Sequence, residues 1–374
     1  MSSEVPLPGI RRVDAHLFRV PIDVPVRTSF GTMLDRPMLY VRIEDRDGAI
    51  GWGEVWCNFP TVGAEHRKNL IETVVGPMLI GLGAIAPASV YRTLMDRLRV
   101  LAIQSGEWGP LRQICAGLDA ACHDLAARRA GLPLFRFLNG QARPQIACYA
   151  SGIGPEAPDT TIERAMKQQH TAFKVKVGFG NDVDMRTLAR ASGVLEPHHR
   201  LMADANQGWN IDQALTIAPS LVEYHLAWLE EPLRADRPLE EWQVLADAMP
   251  TALAAGENLN QPSEFEAAVD SACLGFLQPD VAKWGGVSGC LAMARHASSR
   301  GVVYCPHFLG GAVGLLASAH LLAAVGGSGL LEVDVNPNTI RDEHLDGAVE
   351  MTDGHLHLDD RPGIGLDLDL HRPF

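Results

Sequence analysis

The chain has 374 residues, of which 47% are hydrophobic, and its formal net charge is −13 at neutral pH. A chain of this length and apolar content can bury a large core, so we expect one large domain and a smaller one without stabilising disulfides. The acidic balance excludes nucleic acid as an expected partner, because phosphate backbones are bound by clustered Lys and Arg.

The cysteine pattern and the hydropathy exclude two further classes of protein. The seven cysteines are scattered and contain no CxxC pair, which argues against a disulfide framework or a zinc knuckle and favours a cytoplasmic location. The N-terminus lacks a signal-peptide pattern, and no segment reaches the roughly 18 uninterrupted apolar residues of a membrane span. The longest candidate, 310–327, is interrupted by His320 and predicts a buried helix. We expect no membrane partner.

Residues 1–140 predict an N-terminal capping domain of α+β structure. Residues 13–55 alternate apolar and polar side chains on both sides of an Asp47–Gly48 turn, which predicts an antiparallel meander. From residue 66 onward the apolar spacing changes to three and four, which predicts several helices, one of them ending at Gly131.

Residues 141–345 predict an α/β barrel, because short apolar runs alternate with amphipathic stretches. Eight runs predict strands: IACYA, AFKVKVG, RLMADAN, LAWLEEP, TALAAGE, LGFLQPD, VVYCPHF and LLEVDV. Near-continuous apolar strands separated by helices indicate parallel pairing that is buried on both faces. The remaining segment, 346–374, is extended in pattern and is expected to pack back on the capping domain.

Titratable residues follow seven of these runs at steps of 30, 26, 27, 23, 27 and 25 residues. They are Lys174, Asp204, Glu230, Glu257, Asp280, His307 and Glu332. A strand, a helix and two loops occupy about this length, so each step predicts one βα unit. The seven side chains are therefore expected to meet at the rim formed by the carboxyl ends of the strands, where barrels keep their chemistry.

Three successive units end in a carboxylate, namely Asp204, Glu230 and Glu257. Neighbouring parallel strands lie about 4.8 Å apart, so unpaired carboxylates would repel one another there and raise each other's pKa values. A divalent cation removes this repulsion, and an all-oxygen site suits Mg²⁺, with Mn²⁺ as an alternative ion. The competing interpretation is that each acid caps a helix or binds an arginine. Three acids in consecutive βα units favour a metal site over that interpretation.

Two sets of bases are expected on the rim. Lys174 and Lys176 share the inward face of one strand, where each ammonium group is expected to lower the pKa of the other. A solvated edge strand is the alternative, against which the interleaved apolar residues argue. His307 and Asp280 end neighbouring strands, which allows a hydrogen bond that orients the imidazole. A structural histidine is the alternative here.

Two bases with a metal between them suit removal of a proton next to a carboxylate. Such removal gives an enediolate, whose two negative oxygens need a cation and a hydrogen-bond donor. Glu332, if protonated, is a candidate for that donor.

These residues together resemble the enolase superfamily, and specifically its mandelate racemase subgroup. The segments that carry the resemblance are RTSFGTMLDRPMLYVRI, GAIGWGE, KVKVG, DANQGW, LEEPL, GEN, QPDVAKWGG, PHF and PGIGLDLD. The resemblance covers nearly the whole chain. It implies a modified TIM barrel of the (β/α)7β type with a capping domain completed by the C-terminal tail, a small carboxylate substrate and a homo-oligomer.

The resemblance also implies roles for individual residues. Asp204, Glu230 and Glu257 would bind Mg²⁺, and Glu231 would point the other way along its strand. Lys176 would be the base on one face, with Lys174 contacting the substrate carboxylate. His307, paired with Asp280, would act on the other face, and Glu332 would donate a hydrogen bond to the carboxylate. Asn206 would touch substrate.

Position 280 decides the subgroup within the resemblance. The muconate cycloisomerase and dipeptide epimerase subgroup has a lysine three residues before the lysine of its K-x-G-G element. Here Asp280 stands three residues before Lys283, and His307 is present instead. A mechanism with two lysines is therefore not expected. Lys283 is interpreted as structural, with a role in supporting the site residues from behind as the alternative.

The outcome of the reaction and the substrate are expected to depend on the capping loops 21–36 and 56–66. Phe30, Trp56 and Phe59 favour a less polar substrate, unless they only pack the loops onto the barrel. Polar side chains, Arg27, Asn58 and His66, favour hydroxyls or a second carboxylate. By analogy with the subgroup, we favour dehydration of an aldonate or aldarate to a 2-keto-3-deoxy acid. Racemisation of a 2-hydroxy acid is the alternative, and a non-catalytic binding protein is the remote one.

Overall fold

The computed structural model describes residues 4–28, 31–60, 62–345 and 347–368. The chain begins with an antiparallel sheet of three strands, β1 (Ile10–Thr28), β2 (Gly31–Asp45) and β3 (Ile50–Val55), in the order β1-β2-β3. Helices follow it: α1 (Gly63–Leu70), α2 (Gly76–Ile80), α3 (Val90–Ser105), α4 (Trp108–Arg129) and α5 (Leu134–Leu138). The predicted meander, its turn after Asp45 and the helical region are confirmed.

Close packing of β3 on α4 requires two glycines in the GAIGWGE segment. A Cβ atom at Gly53 would lie 2.0 Å from the carbonyl oxygen of Gly117, and one at Gly51 would lie 2.3 Å from that of Ala121. These neighbours are helix backbone, which cannot move aside without displacing the whole helix. The absence of a side chain at both positions lets the sheet lie directly on α4.

We therefore expect Gly53→Ala to destabilise the protein by about 1–3 kcal/mol, the usual range for overpacking a tight contact. Thermal unfolding measures this as a lower melting temperature. Gly109→Ala is the matched control, because a Cβ there meets nothing within 4 Å and the residue lies in the first turn of α4. An alanine in that helix is expected to be neutral or slightly stabilising. Equal melting temperatures for the two variants would contradict the packing argument.

The predicted barrel is confirmed. Its eight strands are β4 (Gln145–Ile153), β5 (Ala172–Lys176), β6 (Arg200–Asp204), β7 (Leu229–Glu230), β8 (Leu253–Ala255), β9 (Phe276–Leu277), β10 (Val303–Tyr304) and β11 (Leu331–Asp334). The seven connecting helices are α6 (Pro158–Lys167), α7 (Asn181–Gly193), α8 (Ile211–Leu221), α9 (Leu239–Ala248), α10 (Pro262–Asp270), α11 (Gly286–Ser299) and α12 (Ala312–Val325). The strands from β4 to β10 pair in parallel in chain order, and β11 returns to pair with β4.

The C-terminal segment contacts both parts of the fold. After α13 (Thr339–Leu345), the strands β12 (Glu350–Thr352) and β13 (His355–His357) form a hairpin whose second strand pairs with barrel strand β4. Further on, the backbone N–H of Ile364 donates to Asp124 of α4, and Asp124 also accepts from the backbone N–H of Trp52 in β3. The tail therefore completes the capping domain, as predicted, but only after it has extended the barrel sheet.

The buried helix predicted within residues 310–327 is confirmed as α12. Helix α12 is buried over nearly its whole length, and His320 inside it accepts a hydrogen bond from the backbone N–H of Phe135. Burial lowers the pKa of His320 to about 4, so the imidazole is neutral. All seven cysteines are free and buried. Within the described ranges, no helix combines the length and apolarity needed to cross a membrane.

Candidate active site

Three rim residues lie side by side because their strands pair in register. Lys176, the last residue of β5, pairs with Asp204 at the end of β6, and Asp204 pairs with Glu230 at the end of β7. Both carboxylates are about 1% exposed. The regular spacing seen in the sequence thus brings a lysine and two acids to one edge of the barrel.

Lys174 lies at the centre of the charged cluster. Its side chain is fully buried, and Nζ contacts Glu230 Oε1, lies 2.8 Å from Glu332 Oε1 and 3.6 Å from Asp204 Oδ2. The ammonium also lies 5.2 Å from the centre of the Tyr149 ring. One cation therefore compensates parts of three carboxylates, which strands β6, β7 and β11 supply.

Lys176 lies above Lys174 and nearer to solvent. Its side chain is 14% exposed, and Nζ donates to Asp204 Oδ2 at 2.5 Å. Burial by itself lowers the pKa of an ammonium group, but the surrounding carboxylates outweigh it, and the pKa values of Lys174 and Lys176 are both raised. The charge of Lys174 does act to lower the pKa of Lys176, as predicted. The nearby carboxylates outweigh this effect, so the expected net lowering toward the range of a base is not seen in this arrangement.

His307 and Asp280 make the predicted contact across neighbouring strands. The imidazole Nδ1 lies 2.8 Å from Asp280 Oδ2, and Nε2 lies 2.8 Å from Glu257 Oε2. Asp280 is itself held by the backbone N–H of Ala282, which donates to Oδ1 at 2.7 Å. Burial acts to lower the pKa of His307, but the charges of Glu257 and Glu332 and the bond to Asp280 raise it well above its usual value. The surrounding carboxylates therefore favour the protonated form of the imidazole.

Glu332 accepts hydrogen bonds in this structure. Its carboxylate receives them from Ser151 Oγ and from the backbone N–H of Phe308, in addition to the contact with Lys174. Burial acts to raise the pKa of Glu332, but the charges of Lys174, His307 and Lys176 outweigh it and lower the pKa to about 2. The donor role stays a prediction, and it requires that a substrate first draw Lys174 away.

The three candidate metal ligands are each held by a protein cation. Asp204 contacts Lys176, Glu230 contacts Lys174, and Glu257 contacts both His307 and Lys283, whose Nζ lies 3.3 Å from Oε2. In the part of the chain that the structure describes, no group of three His, Cys, Asp or Glu side chains is already arranged as metal ligands.

The donor set nevertheless fits a hard cation. All the donors of Asp204, Glu230 and Glu257 are carboxylate oxygens, which Mg²⁺ prefers. Burial, to which the charge of Asp204 adds, raises the pKa of Glu230 to about 7 despite the opposing charge of Lys174. The lysine thus leaves the negative charge of this cluster incompletely compensated.

Several side chains around this cluster were not identified from the sequence. Glu230 Oε2 accepts from Gln278 Nε2 at 2.6 Å and from Trp228 Nε1 at 3.2 Å. Glu231 was expected to point away from the site, yet its carboxylate accepts from Asn258 Nδ2 at 2.8 Å, and Asn258 also donates to Glu257. Glu231 has a φ of +39°, a left-handed conformation that sequence periodicity does not predict. Gln278 is the first residue of the QPD segment and Asn258 is the last residue of the GEN segment, so these two motifs were the signal that could have identified them.

Of the residues predicted to contact substrate, Lys174 and Glu332 lie buried within the cluster, and Asn206 and Trp56 lie close to its candidate metal ligands. Asn206 Nδ2 donates to Asp204 Oδ2 at 3.2 Å. Lys283 Nζ lies 4.8 Å from the centre of the Trp56 ring, which brings the capping loop close to Glu257. Phe30 lies outside the described residues.

Two polar residues of the capping loops have partners other than a substrate. Asn58 Nδ2 donates to the carbonyl oxygen of Leu309, and His66 Nε2 lies 3.0 Å from Glu107 Oε1. The expectation that these two side chains address substrate hydroxyls or a second carboxylate stays a prediction. Their polar atoms stabilise the cap and its contact with the barrel.

Two family models match the chain. The N-terminal domain of the mandelate racemase/muconate lactonizing enzyme family matches residues 12–139, and the enolase C-terminal domain-like family matches residues 159–372. Together these matches cover both parts of the fold described above.

Individual relatives align along most of their length. A 3,6-anhydro-alpha-L-galactonate cycloisomerase from Streptomyces coelicolor is 30% identical, with 97% of this chain and 98% of that protein covered. An L-talarate/galactarate dehydratase from Salmonella typhimurium is 32% identical, covering 88% and 80%. A solved mandelate racemase/muconate lactonizing enzyme structure from Bordetella bronchiseptica is 48% identical, covers 97% of both chains and superposes with a TM-score of 0.90. Solved structures of further relatives contain magnesium.

Proposed function

The chain belongs to the mandelate racemase subgroup of the enolase superfamily, and we propose that it is a Mg²⁺-dependent enzyme that removes the α-proton of a carboxylate substrate. The substrate class that we propose is an aldonate or aldarate, dehydrated to a 2-keto-3-deoxy acid. One observation carries the proposal: Lys176 Nζ and His307 Nε2 contact different members of the carboxylate set, Asp204 and Glu257. Two proton-transfer groups thus flank one cluster of acids.

Each residue has a separate task in this scheme. The ammonium of Lys174 binds the substrate carboxylate. Lys176, in its neutral form, takes the α-proton, and the electron pair left on carbon passes into the carboxylate to give an enediolate. When bound by Asp204, Glu230 and Glu257, Mg²⁺ supplies the charge that stabilises the two negative oxygens.

His307 completes the dehydration. Asp280 orients the imidazolium, which gives its proton to the β-hydroxyl of the substrate. The hydroxyl leaves as water, and the remaining enol rearranges to the 2-keto acid. The racemase alternative uses the same residues, but His307 returns its proton to the α-carbon. The cycloisomerase among the relatives indicates a third outcome, in which the enediolate closes or opens a ring.

A screen of aldonates, aldarates and 2-hydroxy acids with Mg²⁺ tests the proposal and separates these outcomes. Dehydration is expected to give a 2-keto product that a semicarbazide assay detects. Racemisation would instead incorporate deuterium from D₂O with loss of optical rotation and no keto product. We expect Mn²⁺ to support the same reaction, because it accepts the same oxygen ligands. Absence of both keto product and deuterium exchange with every acid would count decisively against the proposed chemistry.

A further inference from the structure

The helix that follows His307 receives its N-terminal hydrogen bonds from the capping sheet. Helix α12 begins after Gly311 and has no side-chain cap of its own, although the first backbone N–H groups of a helix need acceptors. Glu54 of β3 accepts from the backbone N–H of Gly311 at 2.6 Å and from that of Gly314 at 2.8 Å. Tyr40 of β2 accepts from Ala312 N–H at 3.2 Å through its hydroxyl. Two residues more than 250 positions away thus cap this helix.

The cap is tightly fitted. Tyr40 and Glu54 are cross-strand partners, and both are buried. A Cβ atom at Gly310 would lie 2.6 Å from Glu54 Oε1, and one at Gly311 would lie 2.3 Å from the Tyr40 hydroxyl, so glycine is needed at both positions.

The charge of Glu54 has its compensation in the helix itself. Among the described residues, no Lys, Arg or His side chain forms an ion pair with Glu54. Burial raises the pKa of Glu54 to about 7, and the hydrogen bonds from the backbone N–H groups of Gly311 and Gly314 act against this rise by stabilising the carboxylate. A negative charge at a helix N-terminus is favourable, because the aligned peptide dipoles present their positive end there. Glu54 therefore depends on α12 as much as α12 depends on Glu54.

The same edge of the cap holds the segments that carry His307 and Asp280. Residues 305–311 connect β10 to α12 and include His307. Asn58 Nδ2 donates to the carbonyl oxygen of Leu309 at 2.7 Å, and the backbone N–H of Trp56 donates to that of Ala282 at 3.2 Å. Residues 54, 56 and 58 thus anchor both barrel loops.

We propose that Glu54 is a positioning residue for His307: by holding the N-terminus of α12, it fixes the loop that presents the imidazole to Asp280 and to the substrate. The catalytic consequence rests on the proposed function, whereas the structural consequence does not. Among the described residues, no hydrogen bond or ion pair joins Glu54 to the cluster of acids and bases, although its charge is close enough to Asp280 to act on it. The positional effect on His307 therefore passes through the loop.

Glu54→Gln tests this role, because glutamine keeps the shape but offers one acceptor oxygen and one NH₂ donor. One of the two helix N–H groups then faces a donor. We expect kcat for product formation to fall roughly 10²-fold, the loss that follows a misplacement of about 1 Å, with KM changed much less. Exchange of the substrate α-proton, which depends on Lys176, is expected to stay near the wild-type rate. Unchanged kcat would overturn the proposal, and so would an equal loss of exchange and product formation.

Glu44→Gln is the matched control. Glu44 lies in the same sheet and pairs with Arg11 and Arg42, and within the described ranges its side chain has no hydrogen bond or ion pair with the barrel. Its loss is expected to lower stability without changing kcat. If Glu54→Gln does not fold, Tyr40→Phe removes the acceptor for Ala312, together with the contacts of the hydroxyl with Met38 Sδ and His344 Nδ1, and is expected to give a smaller loss of kcat because Glu54 remains in place.

Two measurements separate failure of this inference from failure of the proposed function. In the Mg²⁺-loaded protein, amide hydrogen exchange of residues 305–316 is expected to be faster in Glu54→Gln than in wild type and in Glu44→Gln. The imidazole resonances of His307, assigned by their loss in His307→Asn, are expected to shift in Glu54→Gln alone. Both expectations apply even if the protein turns over none of the acids tested. Unchanged amide hydrogen exchange together with unchanged His307 resonances would overturn the positioning role.

Discussion

Replacement of Lys176 by methionine is expected to lower kcat by roughly 10²–10⁴-fold, the usual contribution of a general base. Methionine retains an unbranched apolar stem and loses the ammonium group. Lys176 is the better placed lysine, because its side chain is 14% exposed at the mouth of the cluster, whereas that of Lys174 is fully buried. The measurement is turnover of the acid identified by the screen. Lys167→Met, on an exposed position of α6, is the control and is expected to keep full activity.

The same substitution has a structural consequence that does not depend on catalysis. Asp204 loses the cation 2.5 Å from its Oδ2, and removing one partner of a buried pair typically costs about 3 kcal/mol or more. Lys176→Met is therefore expected to unfold at a lower temperature than wild type in metal-free buffer. Mg²⁺ is expected to raise the melting temperature of Lys176→Met by more than it raises that of wild type. In the variant, Asp204 can bind the ion without first displacing an ammonium group.

Isotope exchange distinguishes the roles of Lys176 and His307 on the two faces of the substrate. His307→Asn is expected to keep exchange of the α-proton with D₂O while losing formation of the keto product, whereas Lys176→Met loses both. If Lys176→Met retained wild-type turnover, Lys176 would not be the base. If His307→Asn retained product formation, the proton donor would have to be sought elsewhere.

The barrel and its rim were predictable because each βα unit repeats the same apolar pattern over about 25 residues. Asp204 and Glu230 follow such runs directly, so the register of β6 and β7 brings them together without further information. The His307–Asp280 contact followed in the same way from neighbouring strand ends. These predictions depend on local periodicity and on the geometry of parallel strands.

The electrostatics of the cluster was not predictable, because it depends on residues that face each other across the barrel. Lys174 meets Glu332 from a strand 158 positions later, and this contact raises the pKa of the lysine and helps to lower that of the glutamate. The roles of Asn58 and Glu54 depend likewise on barrel loops more than 250 positions away. A pattern that is read over neighbouring residues cannot predict contacts between residues so far apart in the sequence.

Removal of metal with a chelator is expected to abolish turnover, and Mg²⁺ is expected to restore it. The reason lies in the arrangement of charges: Lys174, Lys176 and His307 contact Glu230, Asp204 and Glu257, so protein cations hold the carboxylates that the metal ion would bind. Without the metal ion the two lysines stay protonated and paired with acids, and neither is available as a base. Turnover by the chelated protein at the Mg²⁺-loaded rate would contradict the proposed enediolate chemistry.

Binding itself can be measured without a substrate. A ligand that binds only the folded state stabilises it by about 2.7 kcal/mol at a concentration 100 times its Kd, so Mg²⁺ is expected to raise the melting temperature. Asp204→Asn is expected to lose most of this rise, because its amide oxygen is a weaker ligand than a carboxylate. Asp159→Asn, which removes a surface partner of Arg190, is the matched control and is expected to keep the rise. An equal rise in both variants would mean that Mg²⁺ binds elsewhere, and the assignment of Asp204, Glu230 and Glu257 as its ligands would fail even if the enzyme proved to need the ion.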